Sequence, residues 1–303
     1  MSSTTISVAT TSVTTISTAS ISTVQPPPEL LSPAGDWESL RAAFQGLARV
    51  IVHRVQDLNL LKGWGLTENV TLLPHGALRP AIERPPARDL PGSATPILGA
   101  YGFFFHDKGF DLLIEALAAI RRHWPGARLR MVTAEHPNSD SAAEIARCVA
   151  LARGLDVSEA IEWRTEYLPD DESLALLNAC DLIVLPRRET SESASGSARV
   201  AMASRVPVIV TPVRIFDDLG ETVIRAGGLG VPELSGVIAA TLRDRKLRDR
   251  TVDNADRWLE AHDWTRLGER LHGMICGLTM NPELHPKLTC PIPGALFDLP
   301  QQR

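Results

Sequence analysis

The chain is poor in most of the features that would give it a ready function. It has 303 residues and four cysteines, Cys148, Cys180, Cys276 and Cys290, each in a different segment. None forms a CxxC pair, so neither a zinc site nor a redox dithiol is written into the spacing. The expectation is free thiols in a reducing compartment, hence a cytoplasmic protein, at most peripheral at the inner membrane face. No apolar run reaches the roughly 18 residues that a membrane-spanning helix needs. No basic tract stands out, and the net charge is −5, so nucleic acid is excluded as a partner. A local site can still be positive on a negative chain. Before Glu29 there is no charged side chain, and the first two dozen residues are almost all Ser, Thr and small or β-branched apolar ones. That stretch lacks the basic start and compact apolar centre of a secretory signal, and residues 1–34 read as a disordered leader.

What is present is a regular alternation. Hydrophobic residues make up 44% and charged residues 22%, an ordinary balance for a globular chain. Trp37–Leu47 and Asp57–Trp64 read as helices. Arg49–His53 and Asn69–Leu73 are short β-branched runs of the kind that form buried strands. Four prolines crowd residues 80–94, a linker between residues 35–79 and a larger domain over 95–278. In that domain strands are expected at Pro96–Ala100, Ala127–Thr133, Ala160–Trp163, Asp181–Leu185, Pro207–Thr211 and Thr222–Ala226. Between and after them lie helical patterns, the clearest being Phe110–His123 with Phe110, Leu113, Ile114, Leu117 and Ile120 at helical spacing. Strands separated by helices imply βαβ units, hence an α/β fold with a Rossmann-like parallel sheet flanked by helices. Residues 279–303 read as an irregular tail.

Parallel sheets of this kind bind ligands beyond the carboxyl ends of their strands, so the segments after the strands are the ones to search. Gly99-Ala-Tyr-Gly-Phe-Phe-Phe-His-Asp-Lys108-Gly109 joins a strand to a helix. Gly102 and Gly109 permit close backbone approach, and Lys108 is expected near a helix amino end, where an anion is favoured. The competing reading is a solvated lysine. Pro186-Arg-Arg-Glu-Thr-Ser-Glu-Ser-Ala-Ser-Gly-Ser-Ala-Arg-Val200 follows a buried strand. Ser195, Gly196 and Ser197 can present hydroxyls and backbone N–H groups to a phosphate. Glu192 can accept from sugar hydroxyls, and Arg187, Arg188 and Arg199 add positive charge. A Ser-capped helix after a polar loop is the competing reading. Asp170-Asp-Glu172 reads as a helix amino-terminal cluster, and no metal site is expected. Trp124, Trp163 and Trp258 read as packing residues.

Four pieces resemble, in order, the family-4 (group 1) glycosyltransferases. Lys108-Gly-Phe-Asp-Leu-Leu-Ile-Glu-Ala-Leu117 is similar to their KG-x-x-x-L-I-x-A element. Asp181-Leu-Ile-Val-Leu-Pro186 is similar to A-D-x-x-x-x-P, and Val200-Ala-Met-Ala-Ser-Arg-Val-Pro-Val-Ile209 to E-A-M-A-x-G-x-P-V-I. His262-Asp-Trp264 resembles the opening of their closing helix. The resemblance implies a GT-B fold, with residues 95–278 as its carboxyl-terminal, donor-binding domain and residues 35–79 as an incomplete amino-terminal acceptor domain. It implies retaining sugar transfer from a nucleoside-diphosphate donor to a glycan or lipid-linked acceptor, the nucleotide sugar being co-substrate and no further cofactor being needed. In that pattern Lys108 contacts the donor diphosphate, Glu192 the donor sugar, and residues 193–197 the donor through backbone amides. Tyr167 stands where the family holds the nucleobase, and Gly102 and Arg199 complete the candidate set. The chain departs from the pattern at Val200, where a glutamate would hold the ribose, and at Phe103, where an arginine is often found. The short acceptor portion leaves a second expectation: a nucleotide-sugar-binding module without transfer, or a product needing a partner subunit for the missing half.

Overall fold

A computed structural model describes residues 36–79, 81–86, 88–190 and 192–279. The leader at 1–34 and almost all of the tail fall outside these residues. The chain divides into two compact units, one spanning His75–Asp263 and the other holding residues 36–74 with the helix that starts at Trp264.

The smaller unit contains α1 (Asp36–Gln45), β1 (Val50–Val52), α2 (Val55–Gly63) and β2 (Val70–Leu72), close to the elements expected from the sequence. β1 and β2 pair in parallel, with Val50 opposite Val70. Phe44, Val50, Val52, Leu61, Leu66 and Val70 form its core. Asn69 ties the end of α1 to the sheet by donating through Nδ2 to the carbonyls of Phe44 and Leu47, at 2.7 and 2.9 Å.

The larger unit holds β3 (Ile97–Phe103), α3 (Phe110–Ile120), β4 (Arg128–Ala134), α4 (Ser139–Gly154), β5 (Ile161–Arg164), α5 (Asp170–Asn178), β6 (Leu182–Leu185), α6 (Gly196–Ala203), β7 (Val208–Val210), β8 (Ile224–Arg225), α7 (Val231–Arg243) and α8 (Arg245–Ala261). The last helix, α9 (Trp264–Thr279), groups with the smaller unit although its sequence runs on from α8. Six parallel strands lie in the order β5-β4-β3-β6-β7-β8. The period-two alternation of a strand explains the two cores. Leu182 and Val184 face a cluster built with α3, α4 and α7, whereas Ile183 and Leu185 face one built with α5, α6 and α8. β6 is buried on both faces, as a central parallel strand must be. The chain moves outward from β3 through β4 to β5, then returns to β6 on the other side of β3. That reversal is the topological switch point, and the crevice it leaves lies beyond the carboxyl ends of β3 and β6.

Three expectations need correction. β3 runs on to Phe103 instead of ending at Ala100, because its pairing with β4 continues through Phe103 opposite Ala134. Lys108 is not in the first turn of α3. It ends a separate 3-10 turn, His106–Lys108, and Gly109 in the left-handed region (φ 69°) starts the helix. The expected free thiols are found at Cys148 and Cys180, which burial pushes up to about 12. Cys276, however, is disulfide-bonded, and Cys290 lies outside the described residues; which cysteines pair depends on spatial proximity, which spacing along the chain does not reveal. The packing tryptophans stand as expected. Trp124 is 1% exposed and its indole Nε1 donates to the Pro91 carbonyl at 2.9 Å. Among the described residues, no helix is long and apolar enough to cross a membrane.

Gly109 is where the two switch-point loops touch. A Cβ there would lie 2.0 Å from the Pro186 carbonyl oxygen, so the position tolerates only glycine on both steric and backbone grounds. We expect Gly109→Ala to destabilise the chain by roughly 2–4 kcal/mol. Gly236→Ala on α7 meets nothing within 4 Å and should instead add about 0.5–1 kcal/mol through helix propensity. Urea unfolding of both variants checks the contrast; equal stabilities would remove the close approach as the cause.

Candidate functional site

The segments after β3 and β6 meet at the switch point and are laced together by two arginines. Arg187 follows Pro186 directly and its side chain is 4% exposed. Its Nη2 lies 2.6 Å from Asp107 Oδ2 and 2.9 Å from Glu192 Oε1, and donates to Thr190 Oγ1 at 3.3 Å. Arg188 reaches the same loop from the other side. Its backbone N–H donates to the Asp107 carbonyl, its Nη1 to the His106 carbonyl and its Nη2 to Asp111 Oδ2. Asp111 also pairs with Arg147, which in turn holds Glu144 at 2.6 Å. The 3-10 turn that carries Lys108 is thereby fixed from both loops.

Lys108, Arg187, Ser195 and Ser197 line one small cavity, with Tyr101 and Phe110 from the strand and helix on either side. Burial lowers the Lys108 ammonium from its ordinary value, the positive charge of Arg187 lowers it further, and Glu192 and Asp107 partly offset both. Tyr101 is raised to about 12, first by burial and then by the negative charge of Asp170. Asp170, Asp171 and Glu172 occupy the first turn of α5, as expected. Ser195 is the N-cap of α6, its hydroxyl accepting from the Ala198 N–H at 3.2 Å. Gly196 opens the helix and is exposed. Ser197, in the first turn, lies against β3, its Oγ 3.5 Å from where a Cβ of Gly102 would sit. With φ 128°, Gly102 adopts a backbone conformation that other residues rarely do. The amino end of α6 therefore opens toward the loop that carries Lys108, and its free N–H groups favour an anion there.

Not every expected residue points into this cavity. Arg199 does not supply charge to it: the side chain is 2% exposed, pairs with Asp218 and donates to the Ser195 carbonyl at 2.9 Å. Its guanidinium also sits 5.3 Å over the Trp258 ring. A residue four positions after the N-cap faces the body of the domain because of the 3.6-residue repeat, so Arg199 braces the helix from behind. Glu192 is 57% exposed, at the cavity mouth beside Arg187. Ser193 is half-buried in the loop before α6. Tyr167, after β5, is 76% exposed, stacks on Phe103 with centroids 6.2 Å apart, and is not among the residues lining the cavity. His136 and Phe105 complete that aromatic group, His136 standing 5.2 Å edge-on to Phe103. Val200 is half-buried against the core under α6. Sequence reasoning passed over Asp107 and Tyr101, and counted Arg187 only as loose charge. The Arg187-Arg188 doublet straight after a fully buried strand was the available signal.

Burial alone would raise the Asp111 carboxyl, but hydrogen bonds from Arg188 and then Arg147 outweigh it and hold it at about 2. A depressed carboxylate contributes stability that is present above its unfolded value near 3.9 and is lost as the pH falls toward the folded one. We expect Asp111→Asn to be less stable than the parent at pH 7, with the gap closing between about pH 4 and pH 2. Denaturant midpoints across that range check it, and a gap independent of pH would deny the charge its role.

Residues 95–243 match the model of the family described as Glycosyl transferases group 1. No curated protein matches the chain. Among solved structures, sucrose-phosphate synthase from Thermosynechococcus elongatus is 22% identical with a TM-score of 0.64, over 80% of this chain and 61% of that one. HepE of Anabaena, in complex with UDP and glucose, is 17% identical with a TM-score of 0.62, over 82% and 70%. WaaG, a glycosyltransferase involved in lipopolysaccharide biosynthesis, is 22% identical with a TM-score of 0.57, over 78% and 65%. The chain thus spans about three-fifths of the synthase chain, and at these identities the likeness is one of fold: the six-stranded parallel sheet flanked by helices is that of the GT-B glycosyltransferases.

Proposed function

We propose that the chain transfers a sugar from a nucleoside-diphosphate donor to a glycan or lipid-linked acceptor, with retention at the anomeric carbon. The observation that carries this reading is the convergence of Lys108 with the amino end of α6 at the switch point of the sheet. In sugar transfer the bond from the anomeric carbon to the β-phosphate oxygen breaks and its electron pair stays with the nucleoside diphosphate. The acceptor hydroxyl forms the new bond and gives up its proton. The leaving group gains negative charge, and cations or N–H groups placed around it lower the barrier, each such donor contributing on the order of 3 kcal/mol. Lys108 and the N–H groups of Gly196 and Ser197 take that role here, so the reading requires no metal ion. Glu192, exposed at the cavity mouth, receives the hydroxyls of the donor sugar. Tyr167, stacked on Phe103, offers an open aromatic face toward the base. The group 1 family match and the UDP and glucose held by HepE support the donor class.

A second reading is favoured by one observation. Among the described residues the smaller unit offers a sheet of two three-residue strands, a small platform for an acceptor. On this reading the chain binds donor and needs a partner subunit for transfer, because holding the acceptor in line supplies much of the rate.

Three measurements test these readings. A thermal-shift screen of UDP-, GDP-, ADP- and dTDP-sugars should find at least one that stabilises the chain, by about 2.7 kcal/mol at 100 times its dissociation constant. Calorimetry should then show Lys108→Ala weakening the bare nucleoside diphosphate about 10- to 150-fold, and Glu192→Gln weakening the nucleotide sugar more than the bare nucleotide. No binding by any donor would sink the proposal. Separately, the purified chain incubated with radiolabelled donor and acceptors should release sugar well below about 1 per second if a partner is required, and an ordinary enzymatic rate would discard the second reading.

A further inference from the structure

Arg187 holds more binding capacity than its contacts use. The guanidinium carries donors on three nitrogens in a fixed plane. Nη2 is engaged by Asp107, Glu192 and Thr190. Nε is buried and has no hydrogen-bond partner, in a side chain only 4% exposed. An orphaned donor on a buried charged group is costly and calls for an acceptor. The cavity that Arg187 lines is shared with Lys108, Ser195 and Ser197, and it lies at the amino end of an eight-residue helix. Two cations and a helix amino end therefore line the same space, and one of those cations carries an N–H that no acceptor satisfies. The carboxylates that now hold Arg187 belong to half-exposed side chains, Asp107 at 39% and Glu192 at 57%, which can swing into water at little cost.

Resting on the donor reading above, we propose that Arg187 is a second diphosphate-binding cation of this site, and that Asp107 and Glu192 occupy it only until a diphosphate arrives. The ligand supplies the acceptor that Nε lacks and competes for Nη2. Glu192 is then released toward the sugar. The geometry of a planar fork suits two phosphate oxygens at once, which the point charge of Lys108 does not.

A purely structural tie between the two loops makes the opposite prediction for Asp107. If Arg187 only anchors the loops, removing the Asp107 carboxylate loosens the site and weakens every ligand. If Arg187 is held in reserve for phosphate, the same change frees it. The test is calorimetry with UDP, GDP and ADP and with the matching monophosphates, on the parent chain, Arg187→Lys, Arg187→Gln and Asp107→Asn, alongside their melting temperatures. Arg187→Lys and Arg187→Gln should lose about 10- to 100-fold for the diphosphate that binds the parent, and less for its monophosphate. Asp107→Asn should bind that diphosphate more tightly than the parent does. If Arg187→Gln fails to fold, Arg187→Lys, which keeps the charge and removes Nε, and Asp107→Asn decide the matter. Unchanged diphosphate affinity in a folded Arg187 variant, or a loss in Asp107→Asn, overturns the inference while leaving the donor reading standing. A parent chain that binds none of the nucleotides overturns both.

Discussion

The contact between the loops after β3 and β6 governs everything else at this site. A doubly wound sheet leaves a crevice where its chain reverses direction, but a crevice is only space. Here Gly109 lets the Pro186 carbonyl pack where any other side chain would stand, and Arg187 and Arg188 tie the loops through Asp107, His106 and Asp111. These pairs are partly or fully withdrawn from water. Removing the partner of such a buried charge is costly unless another counter-charge takes its place, because the charge is otherwise stranded. The position of Lys108 follows from this lacing and not from α3, whose first turn begins two residues later.

The charges at the cavity are nearly balanced, with Lys108 and Arg187 set against Asp107 and Glu192. That balance lets two cations sit close together, although burial and then the charge of Arg187 lower the proton affinity of Lys108. The helix contributes differently. α6 brings fixed N–H groups that need no counter-charge and do not reorganise when an anion arrives. Arg199 belongs to the same design from the rear. Held by Asp218, the Ser195 carbonyl and the Trp258 face, it anchors the capping residue on which the helix start depends.

The aromatic group of Phe103, Phe105, His136 and Tyr167 gives the crevice a second, apolar shoulder beyond β3, β4 and β5. β3 ends at Phe103, in a ring instead of a charge. The cations at the switch point come from the loops after β3 and β6, as Lys108 and Arg187. The chemistry of the crevice is thus divided, with charge and N–H donors over β3 and β6 and ring faces over β4 and β5.

Much of the fold was legible in the sequence for a plain physical reason. Strand and helix periodicities, buried β-branched runs such as Leu182–Leu185, and glycine or proline punctuation are local properties, and they set the elements and their order. The ends of elements were less legible, since β3 extends to Phe103 only because β4 is there to pair with it. Lys108, Ser195 and Ser197 were readable as candidates because each sits just beyond a strand or at a helix start, whereas Gly102, expected beyond β3, lies within it. The direction of a side chain was not. Arg199 and Arg187 look alike in the sequence as cations near a serine-rich turn, yet helical phase turns Arg199 into the core and loop geometry turns Arg187 into the cavity. The pairing of Cys276 and the grouping of α9 with the smaller unit were equally out of reach. Sequence by itself determined the α/β class, the element order and the segments to search for chemistry. Only tertiary structure decided which charges meet, because long-range contacts depend on how distant segments pack and leave no local pattern behind.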